Sequence, residues 1–386
     1  MFLKKSLVFL ALLPALRVAH AGITVGSCQT NKHSYTTISQ AIAVAHAGET
    51  IDICPGIYAE QLTITRPLTL HGLSPSGQAG VTITAPAAGL QALPAGSGFF
   101  PQIYAYRAGY VAIHNIAVDG TGANIVTNSI VFDTSTACQV GFLKDFSGIY
   151  FSDTAGEVRD SSVSAHFANS ATPDSPQIYP NCGSGIEFAN RGEEGLVTDT
   201  VINNYGYTGI SSTGPVRVLR DVLTGTSGPY QIGISVPKTG GVVLGNTVSG
   251  VQFIQSTGIQ GGEDVEDNIV QGWLLGIVNA SQVTHNTLVN NGIGITEPHL
   301  AERNLITSPP QYTDPACATG ECQPSMTAKP SVGIEMQCMD ASQIRSNDMV
   351  GLGVGIADLK KNNAALATNL YAEVATASTS CAGSSN

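Results

Sequence analysis

Residues 258–307 read GIQGGEDVEDNIVQGWLLGIVNASQVTHNTLVNNGIGITEPHLAERNLIT. A Gly-Ile pair falls at Gly258-Ile259, Gly276-Ile277 and Gly294-Ile295, and an asparagine at Asn268, Asn286 and Asn304, so both markers step by 18 residues. The segments between them are short, β-branched and broken by glycine, which suits strands and excludes helices. Self-similarity at such a period marks a solenoid, in which one unit cannot bury its own apolar face and must stack on the next. Corresponding residues then lie at the inter-strand spacing of ~4.8 Å.

The pattern extends outward from this stretch. Gly-Ile recurs at Gly148, Gly185, Gly209, Gly233, Gly333 and Gly355. The Asn/Asp marker recurs at Asn115, Asp160, Asp199, Asp221, Asn246 and Asn347, and is read as a stacked hydrogen-bonding ladder rather than as catalytic. Two long steps contain insertions, Phe167–Ser184 and Thr307–Ser331, which leave the coil after the ladder strand and return at the next Gly-Ile. Long loops on a rigid scaffold are where function concentrates, so a groove walled by both is expected. Upstream, Tyr35–His46 carries Ile38, Ala41, Ile42 and Ala45 at helical spacing, a cap for the open end of a β-stack. The expected fold is an all-β parallel β-helix of about ten coils over residues 22–361, as one domain. Residues 362–386 read as an Ala/Ser/Thr-rich tail.

Composition agrees. Of 386 residues, 43 are glycine and only 12% are charged, with a net charge of −11. Low charge excludes disorder, and an acidic balance speaks against a nucleic-acid partner. Residues 1–21 have the form of a secretory signal: Lys4 and Lys5, an apolar core, and Ala19-His20-Ala21, with cleavage expected after Ala21. That implies a secreted or periplasmic protein without a transmembrane anchor. All eight cysteines (Cys28, Cys54, Cys138, Cys182, Cys317, Cys322, Cys338, Cys381) lie beyond it, an even count that points to disulfides rather than metal. Cys28 with Cys54, and Cys317 with Cys322, are candidate pairs.

The runs Tyr35-Thr-Thr-Ile-Ser-Gln-Ala-Ile42, Gly48-Glu-Thr-Ile-Asp-Ile-Cys-Pro-Gly-Ile-Tyr-Ala-Glu60 and Leu62-Thr-Ile-Thr-Arg-Pro-Leu-Thr-Leu-His-Gly72 resemble the opening of pectin-lyase-like right-handed parallel β-helix proteins. Pectinesterases and NosD-like carbohydrate-associated β-helix proteins share that opening. The Gly-Ile/Asn repeats resemble the NosD-like group, over about residues 34–360. The resemblance implies a single-stranded right-handed β-helix and a link to carbohydrate. The catalytic motifs of pectinesterases and polygalacturonases are absent from the sequence, which disfavours both activities.

The stacked register singles out candidate residues. Asp267, His285 and Arg303 each precede a ladder asparagine, so a carboxylate, an imidazole and a guanidinium fall in one file on adjacent coils, a candidate catalytic set. Arg220, Tyr205 and Tyr230 are candidate substrate contacts. Glu263, Asp264 and Glu266, in the densest acidic run, are candidate ligands for Ca²⁺. Glu297-Pro-His299 is similar to the Asp-Pro-His motif of alginate epimerases. Three functions fit this reading. The first is an exported protein that binds or modifies a polysaccharide or cell-surface glycan, as a lyase or epimerase if it is an enzyme. The second is a non-catalytic exported scaffold. The third is a NosD-like accessory protein for metal delivery. A monomer with no required cofactor is expected.

Overall fold

The computed structural model describes residues 22–29, 33–74, 80–127, 130–133, 146–164, 166, 183–226, 230–252, 256–312, 328–337, 343–359 and 368–381. Residues 1–21, read as a signal from sequence, and Cys138, Cys182, Cys317, Cys322 and Cys338 lie outside them. So do most of both insertions (167–182 and 313–327).

The chain is a right-handed parallel β-helix. Each coil visits three sheets in turn. Sheet A holds the Gly-Ile strands, such as Thr257–Gln260, Leu275–Val278 and Ile293–Thr296. Sheet B holds Asp264–Glu266, Gln282–Thr284 and Leu300–Glu302. Sheet C holds Ile269–Gln271, Thr287–Val289 and Leu305–Thr307 and has twelve strands. Near the N-terminal end, two long strands, Ile103–His114 and Ser147–Arg159, run through A and B without a break and join them into one sheet.

Each sheet sends one apolar column inward. Ile259, Ile277 and Ile295 stack from sheet A, Val265, Val283 and Ala301 from B, and Val270, Leu288 and Ile306 from C, all buried. Removing one such isoleucine side chain costs about 2–5 kcal/mol. The glycine of each Gly-Ile pair has a steric cause. A Cβ on Gly276 would lie 2.4 Å from the Gly294 carbonyl oxygen and 3.0 Å from Leu288, so only hydrogen fits where sheets A and C converge.

The N-terminal cap is a helix over Ile38–Val44, shorter than the apolar spacing suggested because Thr37 caps it and His33–Tyr35 is already strand. Glu60 accepts from the Ile38 and Ser39 amides at 2.8 and 2.9 Å and fixes its start to the first coil. The Cys28–Cys54 disulfide forms as expected, and Cys381 is also disulfide-bonded. The C-terminal segment differs from its reading as a tail. Leu370–Ala372 joins sheet C and Thr376–Ser380 joins sheet A, so these residues make a further coil. Its Ala, Ser and Thr are strand residues, most of them exposed. No helix among the described residues is long and apolar enough to cross a membrane.

Candidate functional site

A single rule governs the corner between sheets B and C. One residue adopts a left-handed backbone and faces solvent, and the next points inward. Asp160, Asp199, Arg220, Asp267, His285, Arg303 and Ser346 have φ of 51–57°, and Gly245 has φ of 68°. A non-glycine residue there costs about 1–2 kcal/mol. The inward neighbours hold the corner. Oδ1 of Asn268, Asn286, Asn304, Asn347 and Asn369 each accepts the backbone amide of the residue one coil before, at 2.9–3.0 Å. The ladder therefore continues upward as Asn246, Asp221, Thr200 and Ser161. The sequence reading placed Asn115, Asp160 and Asp199 in it, one residue too early. They occupy the outward left-handed position, which Asn and Asp also favour, so identity alone does not separate the two.

Asp221 is the acid in this amide column. It is fully buried, and its Oδ2 has no partner among the described residues. Burial pushes its carboxyl up to about 8, against backbone donors that lower it.

Asp267, His285 and Arg303 do stack on successive coils, all exposed at the outer edge of this corner. His285 Nδ1 lies 3.2 Å from Glu266 Oε1, and one ligand atom each of Glu266, Asp267 and His285 falls within 4.8 Å of the others. Arg303 instead faces Glu302 at 3.6 Å, which Arg345 also engages at 2.8 Å. The insertions leave from a different corner, between sheets C and A, so the file does not lie between them. Of the acidic run, Glu263 Oε2 accepts from the Gly240 amide at 2.7 Å, apart from that grouping, while Asp264 and Glu266 point outward from sheet B. An imidazole with two carboxylates is a poor match for Ca²⁺, which takes six to eight oxygens.

The expected substrate contacts separate. Arg220 is bound by both oxygens of Asp199, at 2.8 and 2.6 Å, and by Thr198. This pair holds the Asp199 carboxyl below its usual range. Tyr205 corrects the sequence reading: it is fully buried and its hydroxyl has no partner among the described residues. Left-handed Asn204 turns the following side chain inward, as Gly272 turns Trp273 into the core, where the indole donates to Val248 O at 3.1 Å. Tyr230 is half-buried in a turn. Glu297 is another left-handed corner residue, between sheets A and B.

Sheet B carries a network that the sequence did not reveal. Asp52, His71, His114 and Arg159 are register partners on four successive strands. His71 Nδ1 lies 3.1 Å from Asp52 Oδ1. His114 Nε2 lies 3.1 Å from Glu157 Oε1, Arg159 approaches its Nδ1 at 3.2 Å, and the Tyr110 hydroxyl donates to Glu157. Burial and the Arg159 charge lower the His114 pKa, while burial and Glu157 push Tyr110 up to about 12. Both nitrogens of His114 are occupied, so the cluster is a satisfied polar network and His114 has no free base to offer. Asp52 and Arg159 are far apart in sequence and no local motif joins them.

The corner between sheets C and A holds an open cavity. It has a volume of 440 Å³ and is lined by Gly250, Val251, Gln252, Gly272, Asn290, Pro309, Gln311 and Tyr312. The glycines form a floor without side chains. Gln252 Nε2 donates to Asn290 O at 2.6 Å, and among the described residues no ionisable group besides the tyrosine lines the space.

No family model and no curated protein matches this sequence. Solved structures that are similar include the pectin methylesterase PemA from Erwinia chrysanthemi, at 15% identity and TM-score 0.41 over 71% of this chain and 79% of that one. A family 28 exopolygalacturonase from Yersinia enterocolitica shows 11% identity and TM-score 0.45 over 89% and 74%. A polygalacturonase from Erwinia carotovora shows 10% identity and TM-score 0.37 over 93% and 96%. Likeness at this level says nothing about chemistry, and the fold stands on the sheet register above.

Proposed function

We propose that this protein is exported and binds a carbohydrate in the cavity between sheets C and A. The observation that carries the reading is the lining of that cavity: Tyr312, Gln252, Gln311 and Asn290 around a glycine floor. Amide side chains donate and accept at once, which matches sugar hydroxyls, and a tyrosine ring stacks on the C–H face of a pyranose. Export is supported by the form of residues 1–21 and by the Cys28–Cys54 disulfide, which suits an oxidising compartment.

A glycan array probed with the wild type and with Tyr312→Ala and Gln252→Ala tests the site. Retention of a glycan by wild type and its loss in both variants is the expected result. Silence of wild type across acidic and neutral glycans, or binding indifferent to both substitutions, overturns the reading.

Modification of an acidic glycan by Asp267, His285 and Arg303 is the second reading. It rests on the approach of Glu266 to His285, which would orient the ring as a base. Ultraviolet absorbance from unsaturated uronates, lost in His285→Ala, would support it.

A further inference from the structure

Sheet C differs from the rest of the surface. Its twelve strands each present two outward positions, and only Asp119 and Asp348 among them are ionisable. One outward column is aliphatic: Val201, Val222, Ile269 and Leu305 are 42–44% exposed. Register aligns them, with Thr247 and Thr287 between, along one line down the solenoid. Scattered exposed aliphatics are ordinary, but four in one column, interrupted only by threonines and on a sheet with just two outward carboxylates, mark an interaction surface.

We infer that sheet C is the face on which two copies of this chain associate. Three observations select a second copy as the occupant. The chain has a net charge of −11, so two copies repel over most of their surface and can approach where charge is missing. The face has no outward aromatic ring to stack on a sugar, unlike the cavity between sheets C and A. Its extent is also sufficient. Twelve strands at ~4.8 Å spacing and about 10 Å of strand length give a plan area on the order of 500 Å². Side-chain relief brings that to the scale of the ~800 Å² that each partner buries in a standard interface. Two such faces, packed at the ~10 Å separation of stacked sheets, would cover the aliphatic file of each with that of the other.

Light scattering coupled to size exclusion, run on the full chain over a range of micromolar concentrations, tests the inference. The expected result is twice the chain mass, with the dimer favoured by added salt because salt screens the shared negative charge. Val222→Lys with Ile269→Lys should weaken association by more than about tenfold while circular dichroism and Tm stay unchanged. Leu219→Lys with Leu244→Lys, on the outer face of sheet B, should leave the dimer intact. A monomer at every concentration overturns the inference, as does a dimer indifferent to the sheet C lysines or broken equally by those on sheet B. If the sheet C variant fails to fold, concentration-dependent protection of the sheet C strands from hydrogen exchange in the wild type decides the question, and its absence overturns the inference. Capture by an insoluble polysaccharide that survives Tyr312→Ala but is lost in the sheet C lysine variant would likewise reject a second copy as the occupant.

Discussion

Sheets B and C are built from the same coils, with similar strand lengths and the same inward columns, yet their outer faces are opposites. Sheet B carries Asp52, His71, His114, Glu157, Arg159, Arg217, Asp264, Glu266, Glu302 and Arg345 outward, joined in part by hydrogen bonds and ion pairs. Sheet C carries two aspartates. The interior dictates size and polarity, and it is alike for both. The exterior is under no packing constraint from the coil, so its composition reports what each face meets. A charged, self-satisfied face suits water and small ions. A face with few charges and an aliphatic file suits a second surface.

The comparison is bounded by the corner between the two sheets, and the largest expected effect lies there. Asn286 accepts from the Asn268 amide and donates to Val265 O and Asn304 Oδ1, all while buried. Asn286→Ala should strand several buried polar groups and cost about 3–5 kcal/mol in chemical denaturation. His285→Ala, one residue away but outward, should change stability far less. Equal losses would mean that the corner depends on its outer residue.

The next effect has the opposite sign. Asp221 replaces an amide in the ladder and is held neutral, with its folded value raised to about 8. A raised folded value gives greatest relative stability below the unfolded carboxyl value of about 4, lost progressively as pH rises to about 8. Asp221→Asn should therefore stabilise the fold increasingly across that window and level off above it. The gain near neutral pH should be on the order of 2–4 kcal/mol by denaturation at several pH values. No gain at pH 8 would show that Asp221 already has a partner for both oxygens.

On sheet B, Glu157→Gln removes the group that raises His114, so the imidazole should fall further below its ordinary value in an NMR titration. A rise instead would place His114 outside the network. The smallest effect belongs to Arg220→Ala at the exposed edge. Asp199 should return toward the usual carboxylate range, with a small fall in Tm that salt erases.

Much of this was legible in the chain. The step of 18 residues between Gly-Ile pairs fixed the coil, and the glycine is forced by close approach of sheets A and C. The ladder was legible from Asp221 onward, where amides repeat, and misread by one residue at Asp160 and Asp199, where Ser161 and Thr200 take the inward role. Tyr205 was misplaced for a similar reason: whether a corner side chain enters the core depends on the left-handed residue before it, and Asn204 does not announce that conformation.

The sequence by itself determined the solenoid and its low charge, because the repeat markers recur along the chain and each is enforced by local packing. Only the tertiary structure decided which outward residues become neighbours. Asp52, His71, His114 and Arg159 are brought together by stacking across segments of unequal length, and the aliphatic file of sheet C is aligned in the same way. Outward positions have no packing constraint to imprint a pattern on the sequence, so their grouping exists only once the coils are in register.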